Sequence, residues 1–151
     1  LDRRSCLLFL YYFYGDPRAL HSFPTRRSSD LCGSARAERF LENEGAFALW
    51  DALPVTRLHA LVIPKRHAVD YFDLSREDLL ACDDLIRKVR DRVLELDPAV
   101  AGFNIGANAG RAAGQTVFHC HFHVIPRRVG DVENPRGGVR RVLGRRSGGE
   151  A

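Results

Sequence analysis

The stretch from Asn108 to Arg127 reads NAGRAAGQTVFHCHFHVIPR, and at its centre His119, His121 and His123 alternate with Cys120, Phe122 and Val124. Successive side chains of a β-strand point to opposite faces, so this alternation predicts three imidazoles on one face and apolar residues on the other. Half of the six histidines in the chain lie here. The apolar face belongs against a core, which leaves the imidazoles toward solvent, a cleft or a metal. Three uses follow: metal ligation, nucleophilic and acid–base chemistry, or a merely polar exposed face. The strict alternation directly behind Gly114-Gln115-Thr116 argues against the last.

Outward from this stretch, Val117 to Ile125 reads as the histidine-bearing strand and Ala101 to Ile105 as the strand before it. Between them lies GANAGRAAGQT, with Gly106, Gly110 and Gly114, where backbone N–H groups can approach an anion closely. Beside three histidines, that loop is a candidate phosphate site. Upstream, Cys82, Ile86, Val89, Val93 and Leu96 recur at helical spacing and predict a helix over Arg76 to Leu96. Ser75 and Asp78 supply its capping box, and Asp97-Pro98 ends it. Cys82 then belongs to the core stripe. Ala46 to Trp50 and His59 to Ile63 read as strands separated by a turn at Pro54, with Pro64, Lys65 and Arg66 closing the second. Ser34 to Asn43 reads as a short helix capped by Ser34, with Phe40 and Leu41 facing inward.

A chain of 151 residues fits one domain with a substantial core. The net charge of +4 divides as +2 over residues 1–31, −2 over 32–126 and +4 over 127–151. That distribution argues against a broad nucleic-acid surface, while the basic end could attract phosphate. Cys6, Cys32, Cys82 and Cys120 are too sparse for a disulfide framework, which points to a reducing, cytoplasmic setting. Arg3 and Arg4 precede the apolar run Cys6 to Tyr14, the layout of a signal peptide or anchor. Its nine residues are too few to span a bilayer as a helix, and no small-residue cleavage site follows cleanly. The sequence opens without Met, and HSFPTRRSSDL, His21 to Leu31, resembles translated read-through of a sequencing adapter. Residues 1–31 are therefore expected to be non-native or disordered, residues 32–142 to form the domain and residues 143–151 to form a flexible basic tail.

The run His119-Cys-His121-Phe-His123-Val-Ile resembles the signature His-φ-His-φ-His-φ-φ of the histidine triad (HIT) superfamily of nucleotide hydrolases and transferases. LHALVIPKRH, Leu58 to His67, is similar to the family's second characteristic strand, and Gly114-Gln115-Thr116-Val117 to its lead-in to the triad. The resemblance covers Cys32 to about Val142 and implies an α+β fold, an antiparallel sheet of about five strands with two helices, usually paired as a homodimer.

The resemblance also implies roles. His121 matches the nucleophile that attacks the α-phosphate to give a nucleotidyl-histidine, later hydrolysed by water. His119 matches an orienting residue and His123 a phosphate contact. Gln115 and Thr116 match contacts to the phosphates and leaving group, with Thr116 able to pass a proton. Asn108 falls at a polar substrate-side position, and Asp51, eight residues before His59, at the ribose-binding position. Some bacterial members hold a structural zinc through a Cys-x-x-Cys pair, a histidine at the His59 position and the first triad histidine. Cys32, His59 and His119 supply three such ligands, but Ser29 stands where the first cysteine would be, and a structural zinc wants four. Outside that role, His59 reads as a buried, hydrogen-bonded strand histidine, His67 as structural and Cys120 as core.

The function so implied is hydrolysis at the α-phosphate of dinucleoside polyphosphates such as diadenosine tetraphosphate. GDVENPRGGVR, Gly130 to Arg140, resembles the tails of bacterial members with that activity. A nucleoside phosphoramidase, a dinucleoside polyphosphate phosphorylase and a non-catalytic nucleotide- or metal-binding module remain alternatives. The expected partners are a nucleotide substrate and a second copy of the chain, with no nucleic acid polymer and no membrane. No cofactor is expected for the chemistry.

Overall fold

The computed structural model describes residues 39–139. Five strands, β1 (Leu41–Glu42), β2 (Ala46–Trp50), β3 (Ala60–Pro64), β4 (Val100–Gly106) and β5 (Phe122–Arg128), form one antiparallel sheet in the order β1-β2-β3-β5-β4. One helix, α1 (Arg76–Leu96), lies on one face. It starts where the sequence predicts. Ser75 accepts the Asp78 N–H, and the Asp78 carboxylate accepts the Ser75 N–H in return, so two otherwise orphaned donors are satisfied.

The core follows from the two periods. Ala46 and Ala48 of β2, Ala60 and Val62 of β3, and Val124 of β5 alternate onto the helix side, where Cys82, Leu85, Val89 and Val93 meet them. Burying each larger side chain contributes about 2 kcal/mol. The β2 residues are small because the helix comes close. A Cβ at Gly45 would lie 2.7 Å from that of Ala81. Phe47, Leu49 and Ile63 form a second buried cluster with Leu61 on the opposite face.

Two local readings need correction. The helix expected over 34–43 does not extend to its end, because Leu41 and Glu42 pair with Ala48 and Phe47. The Asn43 side chain accepts the Gly45 and Ala46 N–H groups, which makes a tight turn and leads the chain into a hairpin. Phe40 does face inward, stacked on Trp50 with ring centroids 3.8 Å apart. Among the described residues there is therefore one α-helix, with short 3-10 turns at Tyr71–Asp73 and Arg111–Ala113. The histidine strand also begins later than Val117, at Phe122. The Cys120 N–H donates to Ala68 O at 2.7 Å, so residues before Phe122 pair with the segment that follows β3. The expectations for residues 1–31 and 143–151 lie outside the described residues. No helix among the described residues is long and apolar enough to cross a membrane.

Asp78 ties the helix start to the end of β3, because Arg66 Nε donates to the same carboxylate at 2.8 Å. Burial alone would raise the Asp78 pKa, but the Arg66 and Ser75 hydrogen bonds outweigh it and hold it below the usual carboxylate value. The stabilisation is then complete above the unfolded-state pKa and is lost as pH falls through the carboxylate range. Asp78→Asn is expected to cost about 1 kcal/mol at pH 7. In urea titrations the gap between variant and wild type should close as the pH is lowered, and a gap independent of pH would contradict the ion-pair account.

Candidate active site

Three irregular segments meet at the β3 and β5 strands. The first, residues 51–59, connects β2 to β3 and is closed by Asp51 N–H donating to His59 O at 2.9 Å. Leu58 sits in the left-handed region at φ 66, a costly conformation for a side chain of its size, directly before His59. Asp51 and His59 thus face each other across the loop base, with Asp51 Oδ2 3.2 Å from His59 Nδ1. His59 Nε2 lies 3.0 Å from Nδ1 of His123 on β5. Asp51, His59 and His123 form a continuous row.

The tautomers of that row can be argued. A carboxylate only accepts, so the contact to Asp51 requires a proton on His59 Nδ1. The Val55 N–H also points at Nδ1 from 3.4 Å, which would require a lone pair there instead. The shorter, charge-assisted contact prevails. His59 Nε2 then accepts from His123 Nδ1–H, and the His123 Nε2 carries a lone pair. Burial lowers the pKa of His59 against the opposing pull of Asp51. Burial, then the nearby His121 and His59 rings, push that of His123 down to about 4, so His123 is neutral at pH 7.

The second segment is the bend 117–121. His119 is fully buried, and its Nε2 donates to Pro64 O at 2.9 Å. Its ring meets that of His67 edge-on, 5.1 Å between centroids. His121 is half-buried, and its Nδ1 lies 2.8 Å from His119 O. A carbonyl can only accept, so His121 carries a proton on Nδ1, and its neutral tautomer has the lone pair on Nε2. Its ring is edge-on to His123 at 5.1 Å. The three imidazoles therefore do not share one strand face. His121 and His123 stand together, while His119 is turned into the interior. Cys120 is buried as expected, its thiol pushed up to about 11 chiefly by burial, and Cys82 likewise to about 12.

The third segment is the glycine loop. Gln115 is 3% exposed and engaged at both ends of its amide: Oε1 accepts Gly110 N–H at 2.8 Å, and Nε2 donates to Val69 O at 2.6 Å and Val117 O at 3.1 Å. Its backbone N–H also donates to Gly110 O. The side chain expected at the phosphates instead clasps the loop, and a direct contact would have to break these bonds. Gly110 and Gly114, both at φ 84, supply the turns that a side chain would strain. Asn108 is half-buried beside Gly114, whose Cβ position would lie 3.8 Å from Asn108 Nδ2. Thr116 is exposed on the same loop.

The zinc ligands expected at Cys32, His59 and His119 are not the set that the described residues bring together. Cys32 lies outside the described residues, and His119 Nε2 is committed to Pro64 O. Among the described residues, ligand atoms of Asp51, His59 and His123 lie within 4.8 Å of one another. Two imidazoles and a carboxylate are a donor set that suits zinc, although each atom already has a hydrogen-bond partner in the row. Sequence reasoning missed the pairing of His59 with His123, 64 residues apart, and the backbone carbonyls of Pro64 and His119 that fix two tautomers. Only the β3–β5 register, Leu61 opposite His123, brings them together.

An antiparallel five-stranded sheet with one main helix, carrying clustered histidines at the start of its fourth consecutive strand partner, defines the histidine triad class. The sequence matches the HIT domain over residues 33–130, and the chain belongs to that family. It is 44% identical over 96 residues to an uncharacterized 16.1 kDa HIT-like protein of Mycoplasma pneumoniae, covering 63% of this chain and 65% of that one. A zinc-bound histidine triad family protein from Mycobacterium smegmatis has a similar structure, with a TM-score of 0.57 and 42% identity over 62% of this chain and 67% of that one. A hypothetical histidine triad nucleotide-binding protein from Sulfolobus tokodaii superposes with a TM-score of 0.53 at 36% identity, covering 60% of each. The chain thus spans about two thirds of the lengths of such relatives.

If the row Asp51–His59–His123 is as described, His123 should stay neutral well below the ordinary imidazole range. Nuclear magnetic resonance titration is expected to show its ring signals constant from pH 7.5 to 5.5 and moving only near pH 4. Titration near 6.5 would contradict the buried row.

Proposed function

We propose that this protein is a nucleotidyl hydrolase that cleaves dinucleoside polyphosphates at the α-phosphate. The observation that carries this reading is the His121 Nδ1 bond to His119 O, which in the neutral tautomer leaves the lone pair on Nε2 for nucleophilic attack. In the proposed first step, Nε2 bonds to the α-phosphorus and the bridging P–O bond breaks, releasing the remaining phosphate chain as an oxyanion to which the Thr116 hydroxyl donates a hydrogen bond. In the second, water attacks the nucleotidyl-His121, its proton goes to the lone pair on His123 Nε2, and the P–N bond breaks. Diadenosine tetraphosphate would yield AMP and ATP.

The glycine loop, clasped by Gln115, would present backbone N–H groups to phosphate oxygens, with Asn108 at its foot. Asp51 keeps 17% of its side chain exposed and would accept a ribose hydroxyl while orienting His59. His119 would act through its carbonyl, as the group that sets the His121 tautomer. The similarity to a nucleotide-binding histidine triad protein supports the substrate class. Incubation with diadenosine tetraphosphate and with adenosine phosphoramidate tests it. Turnover of the first is expected, and His121→Ala should lower it by about a thousandfold or more. Turnover of the phosphoramidate alone would instead favour a phosphoramidase, and AMP binding without turnover of either a non-catalytic module.

The chemistry as written needs no metal, and a zinc held by Asp51, His59 and His123 would serve to fix that row. The protein would act as a homodimer. In support, β4 is an edge strand of the sheet, with Ile105 46% exposed, and a second copy could extend the ladder there. Light scattering on the active chromatographic peak is expected to give twice the chain mass, and chelator treatment of that peak should leave turnover intact. A monomeric active peak, or activity lost on chelation and restored by zinc, would overturn the respective reading.

A further inference from the structure

We propose that Asp51, His59 and His123 form a zinc site whose occupation shuts off the proposed hydrolysis. The site stands on geometry alone, and its inhibitory effect rests on the nucleotide reading. One ligand atom from each of the three side chains lies within 4.8 Å of the others. Asp51 Oδ2 and His59 Nδ1 are already 3.2 Å apart, close to the edge of a zinc tetrahedron, which is about 3.3 Å for metal–ligand distances near 2.0–2.1 Å. His59 Nε2 and His123 Nδ1 are 3.0 Å apart, so a turn of the half-buried His123 ring completes a three-ligand set. The carboxylate is also oriented from behind. Its Oδ1 accepts the Leu53 N–H at 2.9 Å and leaves Oδ2 toward His59, the kind of outer hydrogen bond that fixes a metal ligand. Three protein ligands leave a fourth position open, and the two nitrogen donors favour zinc over magnesium.

The facing atoms of the row are partnered by one another, so zinc replaces bonds internal to it. A further contact, the Val55 N–H 3.4 Å from His59 Nδ1, comes from an exposed residue and can turn to water. Each ligating nitrogen gives up its proton, which a neutral imidazole carries on its other nitrogen instead. For His123 the consequence is the same through either nitrogen. If Nε2 ligates, its lone pair is spent on the metal, and if Nδ1 ligates, the displaced proton occupies Nε2. His123 then has no lone pair for the proton of the attacking water. The Asp51 carboxylate, the proposed acceptor of a ribose hydroxyl, is taken by the same ion. A zinc that fixes the row therefore withdraws both groups from the nucleotide, and zinc and substrate exclude one another. His121 is outside the set and keeps its bond to His119 O.

The test titrates zinc alone into the full chain by calorimetry, for wild type, Asp51→Asn and Cys32→Ser, and follows the thermal melting of each with and without zinc. Wild type and Cys32→Ser are expected to bind one zinc and to melt higher with it, because a ligand of the folded state stabilises that state. Asp51→Asn keeps the shape of the side chain and loses its charge. It should still melt cooperatively without zinc and bind it at least about tenfold more weakly. Magnesium at the same concentration should give neither heat nor a melting shift. Equal binding by wild type and Asp51→Asn, or binding lost in Cys32→Ser, would place zinc on another ligand set and overturn the proposal, as would no binding by wild type. Turnover of diadenosine tetraphosphate is then measured at free zinc set by a metal buffer. Zinc is expected to raise KM without lowering kcat, and a chelator to restore the rate. Zinc bound with the rate unchanged, or with kcat lowered and KM unchanged, would overturn the inhibitory role. Asp51-dependent zinc binding in a chain that turns over no nucleotide would support the site and remove the nucleotide reading instead.

Discussion

The hydrogen bond from His121 Nδ1 to the His119 carbonyl is the constraint on which the proposed chemistry rests. It joins residues two apart, which a regular strand would point the same way without letting one ring reach the other's carbonyl. The bend that permits it is held from outside. His119 is anchored on Pro64 O and the Cys120 N–H on Ala68 O, so both fixings come from the segment that leaves β3. That segment is in turn tied to the helix start through Arg66 and Asp78. A proton position on the His121 ring is therefore set by a chain of contacts extending to the helix cap.

The parts of the fold that were legible in the sequence are those where periodicity and local chemistry agree. Helix α1 is bounded as predicted because Ser75 and Asp78 satisfy each other's backbone donors, while its buried stripe runs through Leu85 and leaves Leu96, read as part of it, exposed. β2 is bounded as predicted for the same reason: Ala46, Phe47, Ala48 and Leu49 are buried on both faces of the sheet. The histidine stretch misled in part. Alternation correctly turned Val124 to the helix, but residues 119–121 bend because their backbone partner is the chain after β3, and nothing in the alternation encodes that partner. The local preference of Asn43 for a tight turn likewise displaced the short helix read from its neighbours.

For the candidate site, the sequence names residues but does not reveal how they are arranged. Gln115 was identified, yet a glutamine beside glycines does not announce whether its amide faces a ligand or its own loop. Here three hydrogen bonds at 3% exposure decide for the loop.

Once the β3–β5 register has set His59 beside His123, a second anchoring system holds the far end of the loop in place. Thr56 Oγ1 donates to Pro126 O at 2.9 Å, and Arg128 donates to Arg57 O and to Asp97, which also accepts from Arg57. The Arg128 guanidinium holds the Asp97 carboxyl below its usual range, so this pairing persists at neutral pH. The loop is thereby pinned to the end of β5, with the strained Leu58 between the pin and His59. Left-handed φ at a leucine is unfavourable by itself and persists because contacts on both sides fix it. Its consequence is directional: the chain turns so that the His59 ring points along the row to His123, with Asp51 behind it. The His121 and His123 rings are thus positioned from opposite directions, His121 by a backbone carbonyl of the bend and His123 by a side chain that the β2–β3 loop presents.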